Sequence, residues 1–291
     1  MTAMDTRARA AVRELGPSYQ PGTPIDEVKR TLKLASVIKL ASNENALGPS
    51  PKALAALRRA VDALHRYPDA TCRDLRAAVA KKLRVDPDAL IFGNGSDELI
   101  VLALRAFVDP GDEVVVAAPT FLIYELQARA CGARVRVVPL KQYRYDLPAM
   151  KAAVTPHTKL VFIANPDNPT GTYVTARELD AFLRGLPEET VVFMDEAYHE
   201  FVEAADYPQT LASVTRQPMI VTRSFSKAYG LAGLRVGYGV ASPSLIAAMD
   251  AVREPFNVNS LAQAASAAAL DDASFLARTS RMTAEGRRYL T

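Results

Sequence analysis

The sequence predicts an α/β protein built on a mainly parallel β-sheet that is covered by helices on both sides. Three observations carry that prediction. Short, uniformly apolar runs recur through the middle of the chain, as strands buried on both faces require. Helical spacing of apolar residues fills the gaps between them. The stretches richest in Gly, Asn, Pro and Ser directly follow apolar runs, where such a sheet places its ligand.

Taken in order, the first forty residues contain Gly16-Pro17, Pro21-Gly22 and Pro24 and read as an arm leading into the body. A helix is predicted over 51–64, with Pro51 in its first turn. Strands are predicted at 89–92, 114–117, 135–138, 160–164, 191–194, 219–222 and 236–240. Helices are predicted between them at 97–107, 121–130, 147–154, 176–183 and 245–252. The Ala-rich segment 262–290 reads as helix, interrupted near Asp271-Asp272. Neither an internal repeat nor a low-complexity tract is present.

Composition narrows the function classes. A chain of 291 residues, 49% hydrophobic and 23% charged, is ordinary for a soluble globular protein with a sizeable core. Lys plus Arg number 35 against 32 Asp plus Glu, and a net charge of +3 argues against a nucleic-acid or anionic-membrane partner. Cys72 and Cys131 lie far apart and outside any CxxC pattern, so neither a disulfide framework nor a zinc site is predicted. His65, His157 and His199 lack metal-ligand spacing and are expected to be surface or packed residues, with His199 a candidate beside the site. The charged segment 1–15 is not a secretory signal, and no run of about 18 apolar residues offers a membrane span. A cytoplasmic location is expected.

Four motifs carry chemistry. Ser224-Phe225-Ser226-Lys227 follows a predicted strand, so a lysine amine flanked by hydroxyls would sit at the sheet's carboxyl edge. A solvated loop lysine has the same local look. Arg235 follows the small residues Gly230, Ala232 and Gly233, and one Arg, two serines and backbone donors make a phosphate cradle. Gly93-Asn94-Gly95-Ser96-Asp97-Glu98 opens a helix that Ser96 or Asp97 can cap, and its free N–H groups suit a phosphate. These glycines do not follow GxGxxG, which disfavours a nicotinamide dinucleotide. Asn165-Pro166-Asp167-Asn168-Pro169-Thr170-Gly171 is either a plain tight turn or a rigid holder for the Asn168 amide. Asp195-Glu196-Ala197-Tyr198 closes an apolar strand, and a buried Asp there needs a cation or several donors; a pyridinium nitrogen is such a cation.

With these four motifs in this order, the chain resembles fold-type I pyridoxal-phosphate aminotransferases, and within them the histidinol-phosphate aminotransferases. Tyr19-Gln20-Pro21-Gly22, the stretch from Leu40 to Gly48 and Arg66-Tyr67-Pro68-Asp69 add to the resemblance, and Ala46 stands where that loop usually has proline. The resemblance implies a three-layer α/β/α large domain of the aspartate-aminotransferase type over 39–258. It implies an N-terminal arm with part of a small domain over 1–38, and connecting helices with an incomplete C-terminal small domain over 259–291. It implies pyridoxal 5′-phosphate as cofactor, joined to Lys227 as an imine. Asp195 would pair with the ring nitrogen, Asn168 and Tyr198 would bond the phenolic oxygen, and Phe121 would stack on the ring. Ser96, Asp97, Ser224, Ser226 and Arg235 would hold the phosphate. Tyr67 would reach the cofactor of a partner subunit in a homodimer with shared sites, and Tyr19 would lie near the substrate.

The activity so implied is amino transfer between L-histidinol phosphate and 2-oxoglutarate, in histidine biosynthesis. Alternatives in the same fold are an aromatic aminotransferase and a threonine-phosphate decarboxylase; from another class, the alternative is a catalytically dead remnant that binds the cofactor without turnover or only interacts with a partner. In such relatives an arginine beyond the position of Thr291 grips the substrate carboxylate, and neither Arg287 nor Arg288 sits in a matching motif.

Overall fold

A computed structural model describes residues 5–15 and 22–291. The chain runs α1 (Ala10–Arg13), α2 (Ile25–Leu32), α3 (Pro51–Ala60), α4 (Arg73–Leu83), β1 (Leu90–Gly93), α5 (Ser96–Phe107), β2 (Glu113–Ala118), α6 (Ile123–Cys131) and β3 (Arg134–Pro139). It continues through α7 (Leu147–Ala153), β4 (Thr158–Ala164), α8 (Ala176–Leu183), β5 (Val191–Asp195), β6 (Met219–Ser224) and β7 (Gly237–Val240). Three helices follow: α9 (Pro243–Asp250), α10 (Ser260–Leu270) and α11 (Ala273–Leu290).

The strands form one seven-stranded sheet in the order β1-β7-β6-β5-β4-β2-β3. β6, β5, β4, β2 and β3 pair in parallel, while β7 runs antiparallel to both its neighbours, β1 and β6. This is the three-layer α/β/α architecture predicted, with every predicted strand present. β1, β5, β6 and β7 are buried along their whole length, as strands covered on both faces must be. β3 departs from that pattern. It lies at the sheet edge, and of its residues only Val138 is fully buried.

Helix α5 buries Leu99, Ile100, Leu102, Ala103 and Leu104 and packs on β7, β1, β6 and β4, with α6 and α9 beside it. α10 packs on α3 and α4. The predicted helix over 51–64 ends at Ala60 and continues as a 3₁₀ turn, and the predicted break at Asp271-Asp272 is real. α4 escaped the apolar pattern because it buries only Leu75, Val79 and Ala80 amid charged residues. Neither cysteine is in a disulfide, and burial pushes the Cys72 thiol up to about 11.

Two helix caps are tied together at the base of α3 and α11. Ser50 caps α3 by accepting from the Ala53 N–H, and its hydroxyl donates to Asp272 Oδ2 at 2.6 Å. Asp272 in turn caps α11, its Oδ1 accepting from the Phe275 N–H at 3.2 Å. Asp272→Ala is expected to lower unfolding free energy by about 1–3 kcal/mol in a urea titration, since it removes a cap and leaves the buried Ser50 hydroxyl without its acceptor.

Candidate active site

The carboxyl ends of β4, β5 and β6 and the turn after β1 converge on a cavity of about 720 Å³. Asp195 is the last residue of β5, and Ser224 the last of β6. The chain leaving β6 delivers Ser226 and Lys227, the turn before α5 delivers Ser96 and Asp97, and Arg235 precedes β7. Phe121, Asn168 and Tyr198 complete the wall. A second cavity of about 420 Å³ adjoins it through shared walls at Asn43, Asn168, Tyr198 and Lys227, and reaches Thr279 and Arg287 on α11.

Asp195 is buried, and both of its oxygens are held by neutral donors: Tyr124 Oη donates to Oδ2 at 2.6 Å and the Ala197 N–H to Oδ1 at 3.0 Å. Burial pushes its carboxyl up to about 6, and these donors work against that rise. A carboxylate this deep, aimed into a cavity, fits a cationic ligand atom. Across the cavity, burial pushes the Lys227 amine toward its neutral form; Asp97 opposes this and Arg235 reinforces it. Lys227 Nζ donates to the Ser42 carbonyl at 3.3 Å and lies 5.6 Å from the centre of the Tyr198 ring. Asn43 donates to the Tyr198 hydroxyl at 3.0 Å.

The phosphate-type cradle is built from close backbone approach. A Cβ on Gly237 would stand 2.5 Å from the Ser96 nitrogen, and one on Gly95 would stand 2.5 Å from Arg235 Nη2. Gly95, at φ 85°, is the N-cap of α5, with no side-chain cap. This corrects the expectation that Ser96 or Asp97 caps the helix. Ser96 is already helical, and the Asp97 carboxylate instead accepts from Arg235 Nη2 at 3.2 Å. Glu98 takes up the Asn94 N–H at 2.6 Å. The open N–H groups of the first turn, Ser224, Ser226 and Arg235 thus face one cavity and suit a phosphate.

The loop 165–171 is held by its own polar residues. The Asn165 side chain is buried and exchanges hydrogen bonds with the backbone of Val174. Asp167 accepts from Thr120 Oγ1 and Thr170 Oγ1, at 2.6 and 2.7 Å. Asn168 is therefore presented by a rigid turn. Behind β5, Glu196 pairs with Arg223 of β6 at 2.8 Å, both side chains being almost fully buried. His199 lies beside that pair, 3.5 Å from Glu196 Oε2, and burial pushes it down to about 4. It belongs to the packing behind the site and does not line the cavity.

The sequence matches the family described as Aminotransferase class I and II over residues 35–291. The chain belongs to this family. Among curated aminotransferases it is 50% identical over 286 residues to the histidinol-phosphate aminotransferase of Moorella thermoacetica, covering 98% of this chain and 74% of that protein. It is 50% identical over 275 residues to that of Geobacillus thermodenitrificans, covering 94% and 75%. Its fold matches the crystal structure of the Sinorhizobium meliloti histidinol-phosphate aminotransferase in complex with pyridoxal-5′-phosphate. That match has a TM-score of 0.90 and 32% identity, over 99% of this chain and 77% of that one. A Thermus thermophilus aspartate aminotransferase mutant matches at TM-score 0.83 and 25% identity, over 97% of this chain and 77% of that one.

In this aminotransferase, every residue singled out for the ring and phosphate lines one cavity, apart from Tyr67. Tyr67 is 82% exposed and stacks on Phe256 at 4.8 Å, away from its own chain's cavity. Tyr19 lies outside the described residues. Sequence reasoning gave no role to Asn43, Tyr124 or the Ser42 carbonyl; Ser42 and Asn43 lie in the 40–48 stretch that carries the resemblance, whereas Tyr124 sits in no motif. No group of residues that could hold a metal occurs among the described residues. Nor is any described helix long and apolar enough to cross a membrane. Gly237→Ala is expected to weaken pyridoxal phosphate uptake about tenfold in an equilibrium absorbance titration, because the added methyl forces the 94–96 backbone out of place.

Proposed function

We propose that this aminotransferase uses pyridoxal 5′-phosphate to move an amino group between L-histidinol phosphate and 2-oxoglutarate. The observation that carries the reading is the pairing, in one cavity, of a buried carboxylate held only by neutral donors with a desolvated lysine amine. The substrate rests on the relatives, which carry the name histidinol-phosphate aminotransferase at about half identity over nearly the whole chain.

When bound, the cofactor supplies an electron sink that eases removal of the substrate's α-proton. The residues of this chain bind, orient and move protons around it. Asp195 would hold a protonated ring nitrogen, and its charge is worth most where water is excluded. Asn168 and Tyr198 would address the phenolic oxygen, and Asn43 donates to the Tyr198 hydroxyl and orients it. Phe121 would lie against the ring, and its edge-to-face contact with Tyr124, centroids 5.5 Å apart, fixes the tilt of the Phe121 side chain. The N–H groups of Ser96 and Asp97, with Ser224, Ser226 and Arg235, would hold the phosphate. Lys227 Nζ would act as the base that takes the substrate's α-proton and as the acid that later gives it back to the substrate-derived carbon skeleton, a role that its desolvated and hence more neutral amine favours. Two copies of the chain form a cytoplasmic homodimer, in which Tyr67 reaches the partner's phosphate site; the exposure of Tyr67, of Phe256 stacked on it and of Leu64 supports this.

Lys227→Ala is expected to abolish transamination of histidinol phosphate while leaving the far-ultraviolet circular dichroism unchanged. Near-wild-type turnover in that variant would sink the assignment. Asp195→Asn is expected to lower kcat by at least about a hundredfold, since a neutral amide stabilises a protonated ring poorly. Equal rates for variant and wild type would remove Asp195 from the role.

A further inference from the structure

Tyr124 lies in the first turn of α6, in no motif that marks the site, yet its side chain reaches the cavity's most buried charge. Its ring is 1% exposed, stacked on Phe162 of β4 at 4.9 Å with planes 11° apart, and capped edge-on by Phe121. Two aromatic neighbours thus leave the ring one orientation, and that orientation aims its hydroxyl at Asp195 Oδ2, 2.6 Å away. The other oxygen of Asp195 is occupied by the Ala197 N–H at 3.0 Å. The carboxylate is therefore pinned along both edges, one by its own strand's exit and one by α6.

We infer that Tyr124 is a positioning residue for Asp195: its hydroxyl keeps that carboxylate ionised and aimed at the nitrogen of a bound pyridine ring. The inference rests on the pyridoxal phosphate reading above. Burial and the neighbouring carboxylate push the Tyr124 hydroxyl well above its ordinary range, so it remains a donor at any working pH. Asp195 sits near the point of losing its charge, because burial has raised it to about 6, and the Tyr124 bond is the largest influence holding it down. Without that donor the neutral acid gains, Oδ2 is left bare in a dry site, and the carboxyl is free to turn about its last torsion.

The test is a binding cycle on the apoprotein, with no turnover needed. Wild type and Tyr124→Phe are titrated with pyridoxal 5′-phosphate and with its 1-deaza analogue, which keeps the phosphate, aldehyde and phenol but has carbon in place of the ring nitrogen. Tyr124→Phe is expected to bind the true cofactor about tenfold more weakly. It is expected to bind the deaza analogue within about twofold of wild type. In the Asp195→Asn background the same substitution is expected to change neither affinity. Equal weakening for both ligands would mean that Tyr124 only fills the core, and no weakening for either would mean that its bond to Asp195 is idle; each result overturns the inference. If Tyr124→Phe does not fold, 4-aminophenylalanine at position 124 keeps the ring and a weaker donor, and a smaller loss confined to the true cofactor is then the supporting result. Failure of wild type to take up pyridoxal phosphate at all would overturn the cofactor reading, and this inference with it, whereas uptake by wild type with an unchanged variant overturns the inference alone.

Discussion

Glu196 and Arg223 bring opposite charges into a nearly dry region just behind the sheet's carboxyl edge. Arg223 approaches Glu196 Oε2 through both Nε, at 2.9 Å, and Nη2, at 2.8 Å, and Thr210 satisfies the other oxygen at 2.5 Å. Removing one partner of such a pair leaves a bare buried charge and costs about 3–5 kcal/mol. The pair also fixes alignment. Glu196 is next in sequence to Asp195, and Arg223 to Ser224, while the Glu196 N–H continues the ladder onto the Thr222 carbonyl at 2.8 Å. The carboxylate that faces the cavity and the serines at the end of β6 are thereby held in register with each other.

The electrostatics of the cavity depend on this rigidity. Asp195 and Lys227 are both desolvated, and burial moves each toward its uncharged form. A flexible site would relax that tension by admitting water or by turning the groups away. Here the hydroxyl of Tyr124, the exit of β5 and the buried pair behind it leave Asp195 no such option, so the cost of holding it is met by the core. Burial of β1, β5, β6 and β7 along their full length supplies that core.

Much of this was legible in the sequence because the strands are uniformly apolar and the chemistry is confined to the turns at their ends. The apolar runs located every strand, and the turns at 93–98, 165–171, 195–198 and 224–227 all reached one cavity. The features that stayed hidden depend on contacts between segments distant in the chain. Nothing local reverses β7, whose direction comes from pairing with both β1 and β6. Nothing local says that Asp97 will turn to Arg235, 138 positions away, and leave the cap to Gly95. Tyr124 reads as one more apolar residue of an amphipathic helix until its hydroxyl is seen beside Asp195. The exposed face of β3 was misjudged because Val135, Val137 and Val138 imitate a buried run, and only its edge position shows otherwise.

One side chain joins parts of the molecule that the sheet does not. The Asn45 amide donates toward the carbonyls of Lys227 and Ala228, at 3.4 and 3.1 Å, and toward Thr279 Oγ1 on α11 at 3.2 Å, while its own oxygen accepts from the Leu47 N–H. The lysine's main chain, the loop around position 45 and the middle of α11 therefore share a single hinge pin. A shift of α11 would pull, through this one amide, on the backbone that carries the reactive amine.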